Sequence, residues 1–412
     1  MNPSQAERLA ARQHLQRQGW IARRSEAFHH LPPPELAHWL GQPEADADAD
    51  DGNAPALAGA GWTLHPLGHG GAHGVDARWL DALDPAQRAE LLAGLPPPGD
   101  GEAAPFVWAH RALCRQGLRL RLSATPGQPA APVVLQLRHQ PHQRAEAPLL
   151  VLEVDAGVHC VLLETHERTA ADGAHPVTQN LHGHIRLAAG AHLQHLRVVA
   201  PQAQDQIAHH LHVSLAPAAH YAQALVATGS AYHLQRSTVQ LSGRGARAQQ
   251  AALLLLDDQQ LDHQAHSDLA AAHSASAVES LVLAQGGARA VSNAYTRIAA
   301  GADEAEVRQR LSGIPLGGQP RLILRPHLEI LHDNVQAAHG ATWGALPADA
   351  LFYARQRGLD EASARALITE GMARAVLERS LGDTELLSDW LATGWLTQRM
   401  ARQARQRAET PA

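Results

Sequence analysis

The residue of this chain best suited to metal chemistry is His339, which stands beside Gly340 in a segment that leads from a strand into a helix. A neutral imidazole is a common metal ligand, and histidine also changes its charge near neutral pH. The alternative role is a hydrogen bond that holds the turn between the strand and the helix. Taken alone, the residue types favour this structural role.

The elements that must position His339 are one strand and two helices. The first half of residues 325–344 alternates apolar and polar side chains, which predicts an extended strand. Pro347 then opens a helix that Gly358 ends, and Asp360 caps a second helix. We expect one apolar stripe on the second helix, made of Ala364, Leu367, Ile368 and Met372.

Two further histidines, His327 and His332, share this junction. Because they are five residues apart, they point to opposite faces of an uninterrupted strand and cannot both join His339 in one site. His332 and His339, seven apart, also diverge unless a turn intervenes. We therefore expect surface or packing roles for both.

Other histidines occur in pairs within strand-like segments. Two residues of one strand that are two apart lie on one face, and such pairs can bind metal. Since the sequence fixes no third ligand, exposed polarity or adventitious metal binding is favoured. The pairs are His182 with His184, His210 with His212, and His192 with His195.

Acidic residues decide whether an enzyme is the better interpretation. Parallel β-helices include polysaccharide lyases and hydrolases, and glycoside hydrolysis generally requires paired carboxylates. Asp257, Asp258, Asp262 and Asp268 are candidates, but they fall at turn-like places, where a solvated loop explains them. The low aromatic content of 4% also argues against a groove that stacks on sugars.

The composition narrows the class of protein. The 412 residues are 45% hydrophobic and 18% charged, with a formal net charge of −6, so a disordered chain and a nucleic-acid partner are disfavoured. Cys114 and Cys160 are the two cysteines, which excludes a four-thiolate site, and we expect both to be buried thiols. No apolar run approaches membrane-spanning length, so a cytoplasmic protein is expected.

Short Leu/Val-rich segments with a period of two fill residues 117–344 and predict a β-rich centre. Small-residue turns lie 27 to 29 positions apart at Gly190, Pro217, Gly245, Ala272 and Gly301. This spacing is typical of stacked repeats, in which each coil buries its apolar face against the next. The period favours a parallel β-helix, although it leaves a β-sandwich or a propeller open.

A set of residues near the carboxyl end resembles the signature of the SufB/SufD family of the SUF iron–sulfur cluster assembly system, in a form similar to SufD. Many members have a cysteine two residues before the histidine, where this chain has Ala337. The residues that carry the resemblance are Glu329-Ile330, Asp333, Val335, His339-Gly340-Ala341-Thr342, Gly344, Leu351-Phe352-Tyr353, Arg355, Arg357 and Gly358.

The resemblance implies a mainly β protein with a right-handed parallel β-helix core flanked by helical regions. It further implies that His339 helps to hold a transient iron–sulfur cluster shared with a SufB-like subunit. The carboxy-terminal helices would dock a SufC-like ATPase, and Phe352 and Tyr353 are suitable anchors there, as are the neighbouring Leu351 and Arg357. Packing of the two aromatic rings against the core is an equally good alternative.

We therefore expect a non-catalytic, SufD-like scaffold subunit that binds no membrane or nucleic acid and holds no cofactor tightly by itself. The isolated chain is also expected to be able to form a homodimer. The predicted divisions are a helical and loop region at 1–116 with an acidic linker at 42–61, the β-helix at 117–344 and a helical domain at 345–412. The competing function is a β-helical enzyme that acts on a polysaccharide.

Overall fold

The structure is a computed structural model. It describes residues 2–22, 24–41, 58–59, 61–67, 74–124, 132–141, 143–168, 175–382 and 384–409. Most of the predicted acidic linker, residues 42–57 and 60, lies outside this part of the chain, while Ala58–Gly59 form a short strand, β1. No helix in the described ranges is long and apolar enough to span a membrane.

Two ten-stranded sheets make up the centre of the molecule. The first sheet has the order β1-β2-β5-β8-β10-β12-β14-β16-β18-β20, and the second β19-β17-β15-β13-β11-β9-β7-β4-β3, with β6 paired to β9. The remaining strands are β2 (Trp62–Pro66), β3 (Val75–Asp81), β4 (Gln116–Leu122), β5 (Val133–His139), β6 (Ala145–Glu146), β7 (Leu149–Val154), β8 (His159–Glu167), β9 (Thr178–Leu187), β10 (His192–Ala200), β11 (Gln206–Leu215), β12 (His220–Thr228), β13 (Tyr232–Leu241), β14 (Arg247–Asp257), β15 (Gln260–Leu269), β16 (Ala275–Gly286), β17 (Arg289–Ile298), β18 (Ala305–Gly318), β19 (Arg321–Ile330) and β20 (Val335–Trp343).

Successive coils stack in parallel because the chain turns at regular corners. Gly190 and Gly245 adopt positive φ, as do the non-glycine residues Ala218 and His273 at equivalent corners. Backbone hydrogen bonds join each corner to the next, for example from the Gly245 N–H to the Ala272 carbonyl oxygen at 3.0 Å. The prediction of a mainly β parallel helix with helical flanks is confirmed, with about seven turns of the solenoid.

The apolar side chains that alternate along the strands fill the space between the two sheets. Leu, Ile and Val side chains from both sheets form the largest buried cluster, which includes Leu162, Leu193, Leu211 and Val239. Within this cluster Leu193 is paired with Cys160 and Val239 with Val213 one coil away, because parallel strands are paired residue for residue. The core therefore runs along the rod rather than collecting at one centre.

The amino-terminal region covers one end and one outer face of the rod. Strands β2 and β3 pair antiparallel with β5 and β4, so both sheets continue into a region for which only helices and loops were predicted. Helices of this region pack on the outer face of the second sheet through an aromatic cluster around Phe106 and Trp39. These helices are α1 (Pro3–Gln18), α2 (Leu36–Leu40), α3 (Pro85–Leu92) and α4 (Ala104–Leu113).

The carboxy-terminal helices cover the outer face of the first sheet. They are α5 (Ala348–Gln356), α6 (Glu361–Leu381), α7 (Glu385–Ala392) and α8 (Trp395–Glu409). Helix α6 has the predicted cap, Asp360, which accepts from the Ser363 N–H at 2.7 Å. The predicted apolar stripe is wrong at Leu367, which is 59% exposed, because the helix turns a face centred on Ala373, Val376 and Leu377 toward the sheet.

The last helical segment is divided into two helices. The first, α7, is capped by Thr384. This helix ends at Ala392, and α8 begins at Trp395 after Gly394, which has a φ of +74°. Trp390 and Trp395 therefore pack from two helices, with ring centroids 5.7 Å apart.

Candidate functional site

His339 lies in β20, the last strand of the first sheet. This strand pairs with β18 on one side, and its other edge has no strand beside it within the described residues. His339 is exposed, as is Trp343 at the end of the same strand, with 70% of its surface accessible. Ile330 and Leu331, at the corner that leads into β20, are 46% and 48% exposed. The histidine therefore lies on an open strand edge that has exposed apolar side chains toward both of its ends.

Strand register places the imidazole on the face that continues the interior of the rod. His339 is paired with Gln309, and Ala337 is paired with Val307, which belongs to the interior cluster. Paired residues of parallel strands have side chains on the same face. The Gln309 amide nitrogen donates to Thr296 Oγ1 at 2.8 Å and to the His327 carbonyl oxygen at 3.0 Å, so it spans the interior one coil below. His339 occupies the equivalent position at the open end.

The neighbouring histidines are held elsewhere. A corner between β19 and β20 interrupts what was predicted as one strand, so His327 lies in the other sheet, where its ring stacks on Tyr295 with centroids 5.1 Å apart. His332 lies in the corner, with Nε2 3.4 Å from Asp303 Oδ1. In the part of the chain that the structure describes, no three His, Cys, Asp or Glu side chains are grouped to hold a metal ion.

Neither cysteine thiol lies at the open end of the rod, where His339 could act as a ligand. Cys160 lies inside the rod and Cys114 ends α4, and both side chains are buried. Burial raises the pKa of Cys160 to about 12 and that of Cys114 to about 11, so both are protonated at neutral pH. Ala337, where related sequences have a cysteine, stands on β20 beside the open edge. A thiolate ligand at this end must therefore come from outside this chain.

The histidine pairs correct a prediction. Exposed polarity was expected for them, but His182 and His210 are 1% and 2% exposed and their rings stack 4.6 Å apart beneath α4. Burial lowers the pKa of His184 to about 2 and that of His212 to about 4. These imidazoles are neutral aromatic packing groups, because charging them would require burying a cation.

Sequence analysis missed a polar row inside the rod, which we call the interior polar row. Period two assigns its members to the interior face, but their polarity makes the same pattern look like an exposed face. Its hydrogen-bonded members from the early to the late coils are His139, Glu146, Glu164, His166, Gln179, His195, Arg197, His209, His233, Gln235, Ser237, Gln250, His263, Ser267, Ser276, Ser280, Ser292, Thr296 and Gln309.

Glu164 is the charged centre of the interior polar row. Its carboxylate accepts from Arg197 at 3.0 Å and from the Nε2 atoms of His166 and His195 at 2.5 and 2.8 Å. Burial alone would raise the pKa of Glu164, but Arg197 and the two imidazoles outweigh it and hold the pKa well below its usual range. The charge is therefore compensated inside the protein rather than by water.

The four carboxylates considered for an enzyme site lie in different environments. Asp262 and Asp268 lie within β15, so the prediction that they occupy turns is wrong for these two. Burial raises the pKa of Asp262 to about 7, and Asp268 pairs with Arg297 at 3.2 Å. Asp258 does lie in a turn, with a φ of +59°, and binds the Gly287 N–H at 2.6 Å, while Asp257 ends β14.

The predicted partner surface lies on α5. Phe352 and Tyr353 are 66% and 59% exposed, so neither ring packs on the core as in the alternative prediction. Leu351 is partly buried against the carboxy-terminal helical cluster and anchors α5. The Arg357 guanidinium lies 4.4 Å from the centroid of the Tyr353 ring, a cation–π contact that orders both side chains.

Comparison with known proteins defines the class. Residues 137–372, more than half of the chain and nearly all of the solenoid, match the family model described as "SUF system FeS cluster assembly, SufBD core domain". The chain therefore belongs to the SufB/SufD family of the SUF iron–sulfur cluster assembly system.

Individual relatives refine this assignment. The chain is 26% identical to the iron–sulfur cluster assembly protein SufD of Escherichia coli over 273 residues, which cover 61% of this chain and 63% of that protein. It is 34% identical over 92 residues to an iron–sulfur cluster assembly SufBD family protein of Synechocystis, 22% of this chain and 20% of the relative. The matches span less than two thirds of the length of these relatives.

Proposed function

We propose that this chain is a SufD-like, non-catalytic subunit of an iron–sulfur cluster assembly scaffold that pairs with a SufB-like subunit and docks a SufC-like ATPase. The observation that carries the proposal is that one end of the rod is covered and the other is open. Strands β2 and β3 cover one end, whereas β19 and β20 end the other with a free edge among the described residues. A cytoplasmic location stays a prediction.

The free end supports pairing with a second scaffold subunit. An exposed strand edge offers a row of unpaired N–H and carbonyl groups, which other chains readily extend. Trp343, Ile330 and Leu331 add exposed apolar surface around that edge. A similar rod, placed end to end, would satisfy the backbone groups and bury these side chains together. Self-association of the isolated chain through the same end stays a prediction.

The position of His339 supports a ligand role at this contact. Its imidazole stands at the open end of the interior, where a second subunit would face it. Because both cysteines of this chain are buried and protonated, the partner supplies any thiolate. Imidazole makes a cluster ligand set less negative than thiolate alone. A scaffold must release its cluster, and a mixed ligand set favours release.

Replacing His339 by alanine should lower the iron and acid-labile sulfide content of the reconstituted complex by at least about twofold, since one of few ligands is lost. Complex formation should be unchanged on size-exclusion chromatography, because the substitution keeps β20 intact. His332→Ala is the matched control and should retain the full cluster content. A His339→Ala complex that holds as much cluster as the unmodified one would reject the ligand role.

The docking surface on α5 predicts a second result. With a tagged chain as bait, a SufB-like and a SufC-like protein from the same host should copurify, and Phe352→Ser/Tyr353→Ser should weaken the SufC-like contact about 100-fold or more, as expected for two aromatic anchors. The SufB-like partner should remain bound. The control is Leu9→Ser in α1, which removes a partly exposed apolar side chain far from α5. Recovery of neither partner by the unmodified chain overturns the subunit assignment.

A further inference from the structure

A cationic groove runs beside the open end of the rod, on the outer face of the first sheet. It has a volume of about 380 Å³ and lies between α6 and strands β14, β16, β18 and β20. Its charged lining consists of Arg308 and Arg310 from β18, Arg379 from α6 and Glu279 from β16, with His339 at its edge. Three guanidinium groups face one carboxylate, so the groove has an excess of positive charge.

Strand register explains why the groove is open. Two rows of paired residues cross the sheet, one through Gln249, Ala277, Arg308 and Ala338, the other through Ala251, Glu279, Arg310 and Gly340. Small residues therefore flank Arg308 on both sides, whereas Arg310 has Gly340 on one side and Glu279 on the other. A Cβ atom built on Gly340 meets no other heavy atom within 4 Å, which shows the empty space beside Arg310.

The three arginines of the groove differ in how closely they pair with a carboxylate. Arg379 donates to both Glu279 oxygens at 2.6 and 2.7 Å, and Arg310 lies 3.9 Å from the same carboxylate. Arg308 is exposed and has no ion pair or hydrogen bond to another side chain within the described residues. The nearest acidic side chain along β18 is Glu306, which is also exposed and lies outside the groove lining.

We propose that this groove binds a small multivalent oxyanion, with Arg308 and Arg310 as the principal contacts and Arg379 as the third cation. Guanidinium groups match the paired oxygens of carboxylates and phosphates through bidentate hydrogen bonds. The apolar floor formed by Ala251 and Ala277 excludes water beneath the anion, which strengthens these contacts. Citrate-like tricarboxylates and inorganic phosphate share this chemistry.

The test uses the isolated full chain, so its outcome is independent of the SufB-like and SufC-like partners. Citrate and inorganic phosphate are titrated separately by calorimetry at low ionic strength, and at least one should bind with a dissociation constant below about 1 mM. The anion that binds identifies the source of the ligand. Arg308→Gln should weaken binding about tenfold, and Arg308→Gln/Arg310→Gln should abolish it.

Two further variants keep the test decisive. Arg17→Gln in α1 makes the same charge change on an exposed helix away from the groove, and it should keep the affinity within about twofold. Ala338→Glu places a carboxylate beside Arg308 and should abolish binding with the helical and strand content unchanged by circular dichroism. Equal losses in Arg17→Gln and Arg308→Gln overturn the proposal. So does binding of a polyglutamate peptide when both small anions fail, which would indicate an acidic polypeptide instead.

Discussion

Lowering the pH from 7 to 5 should unfold this chain cooperatively, because the folded state buries many neutral histidines. Burial, the largest cause in each case, lowers the pKa of each of the following imidazoles from its ordinary value of 6.5. The groups and their values are His110 at about 3, His184 at about 2, and His212, His233 and His263 at about 4.

The direction in which pH changes the free energy of unfolding follows from proton binding. Between pH 4 and 6.5 these imidazoles take up protons in the unfolded chain but not in the folded one, so the free energy of unfolding falls as the pH falls. Each contributes about 2 kcal/mol between pH 7 and pH 5. Asp262, whose pKa burial raises to about 7, acts in the opposite direction, but it is one group against five. The combined loss is comparable with the whole stability of an ordinary domain.

Circular dichroism against pH at constant temperature measures this transition. His263→Gln should shift the midpoint to lower pH, because glutamine preserves a polar side chain near Ser292 but takes up no proton. His38→Gln removes an exposed histidine and should leave the midpoint in place. A chain that stays folded at pH 4.5 with unchanged urea stability would show that these imidazoles are accessible to protons in the native state.

Glu164→Ala should lower the free energy of unfolding by about 3–5 kcal/mol, since it leaves the Arg197 guanidinium buried without its counter-charge. His166 and His195 lose their acceptor in the same step. Urea unfolding at pH 7.5 measures the loss. Glu153→Ala is the matched control, because the Glu153 carboxylate pairs with Arg119 and Arg186 nearer the surface and should contribute less than about 1 kcal/mol.

A double variant separates a lost pair from lost packing. Glu164→Leu/Arg197→Met replaces both charges with apolar groups of similar size and should recover most of the stability lost in Glu164→Ala. If the double variant is as unstable as the single one, the interior polar row has no special dependence on charge pairing, and the loss in Glu164→Ala reflects a cavity alone.

The sequence predicted the fold well because its main signal is local. Corners such as Gly190 and Gly245 recur at a spacing that the parallel register preserves from coil to coil, and Asp360 and Pro347 begin helices as their types indicate. The interior polar row was not predictable, because Glu164 and Arg197 lie 33 residues apart and meet only through stacking. A pattern of period two identifies one face of a strand without revealing whether solvent or another sheet lies against it.

The site was predicted in part. The residue types around His339 indicated a strand and a helix, but the corner that separates His327 from His339 depends on how residues 331–334 fold. Leu367 shows the converse difficulty, since its spacing fits an apolar stripe while its position on α6 points away from the sheet. Which face of an amphipathic helix is buried depends on the partner it meets in the tertiary structure.

The late position of α6 in the chain has a consequence for synthesis on the ribosome. Leu196, Val226 and Leu281 stand on the outer face of the first sheet, and the residues of α6 that cover them, Val376 and Leu377, are translated after the strands. About 95 residues separate the end of β16 from the end of α6, which corresponds to roughly 5 to 20 s of elongation. A nascent chain therefore exposes the apolar outer face of the first sheet before α6 has been synthesised. Ribosome-associated chaperones shield surfaces of this kind.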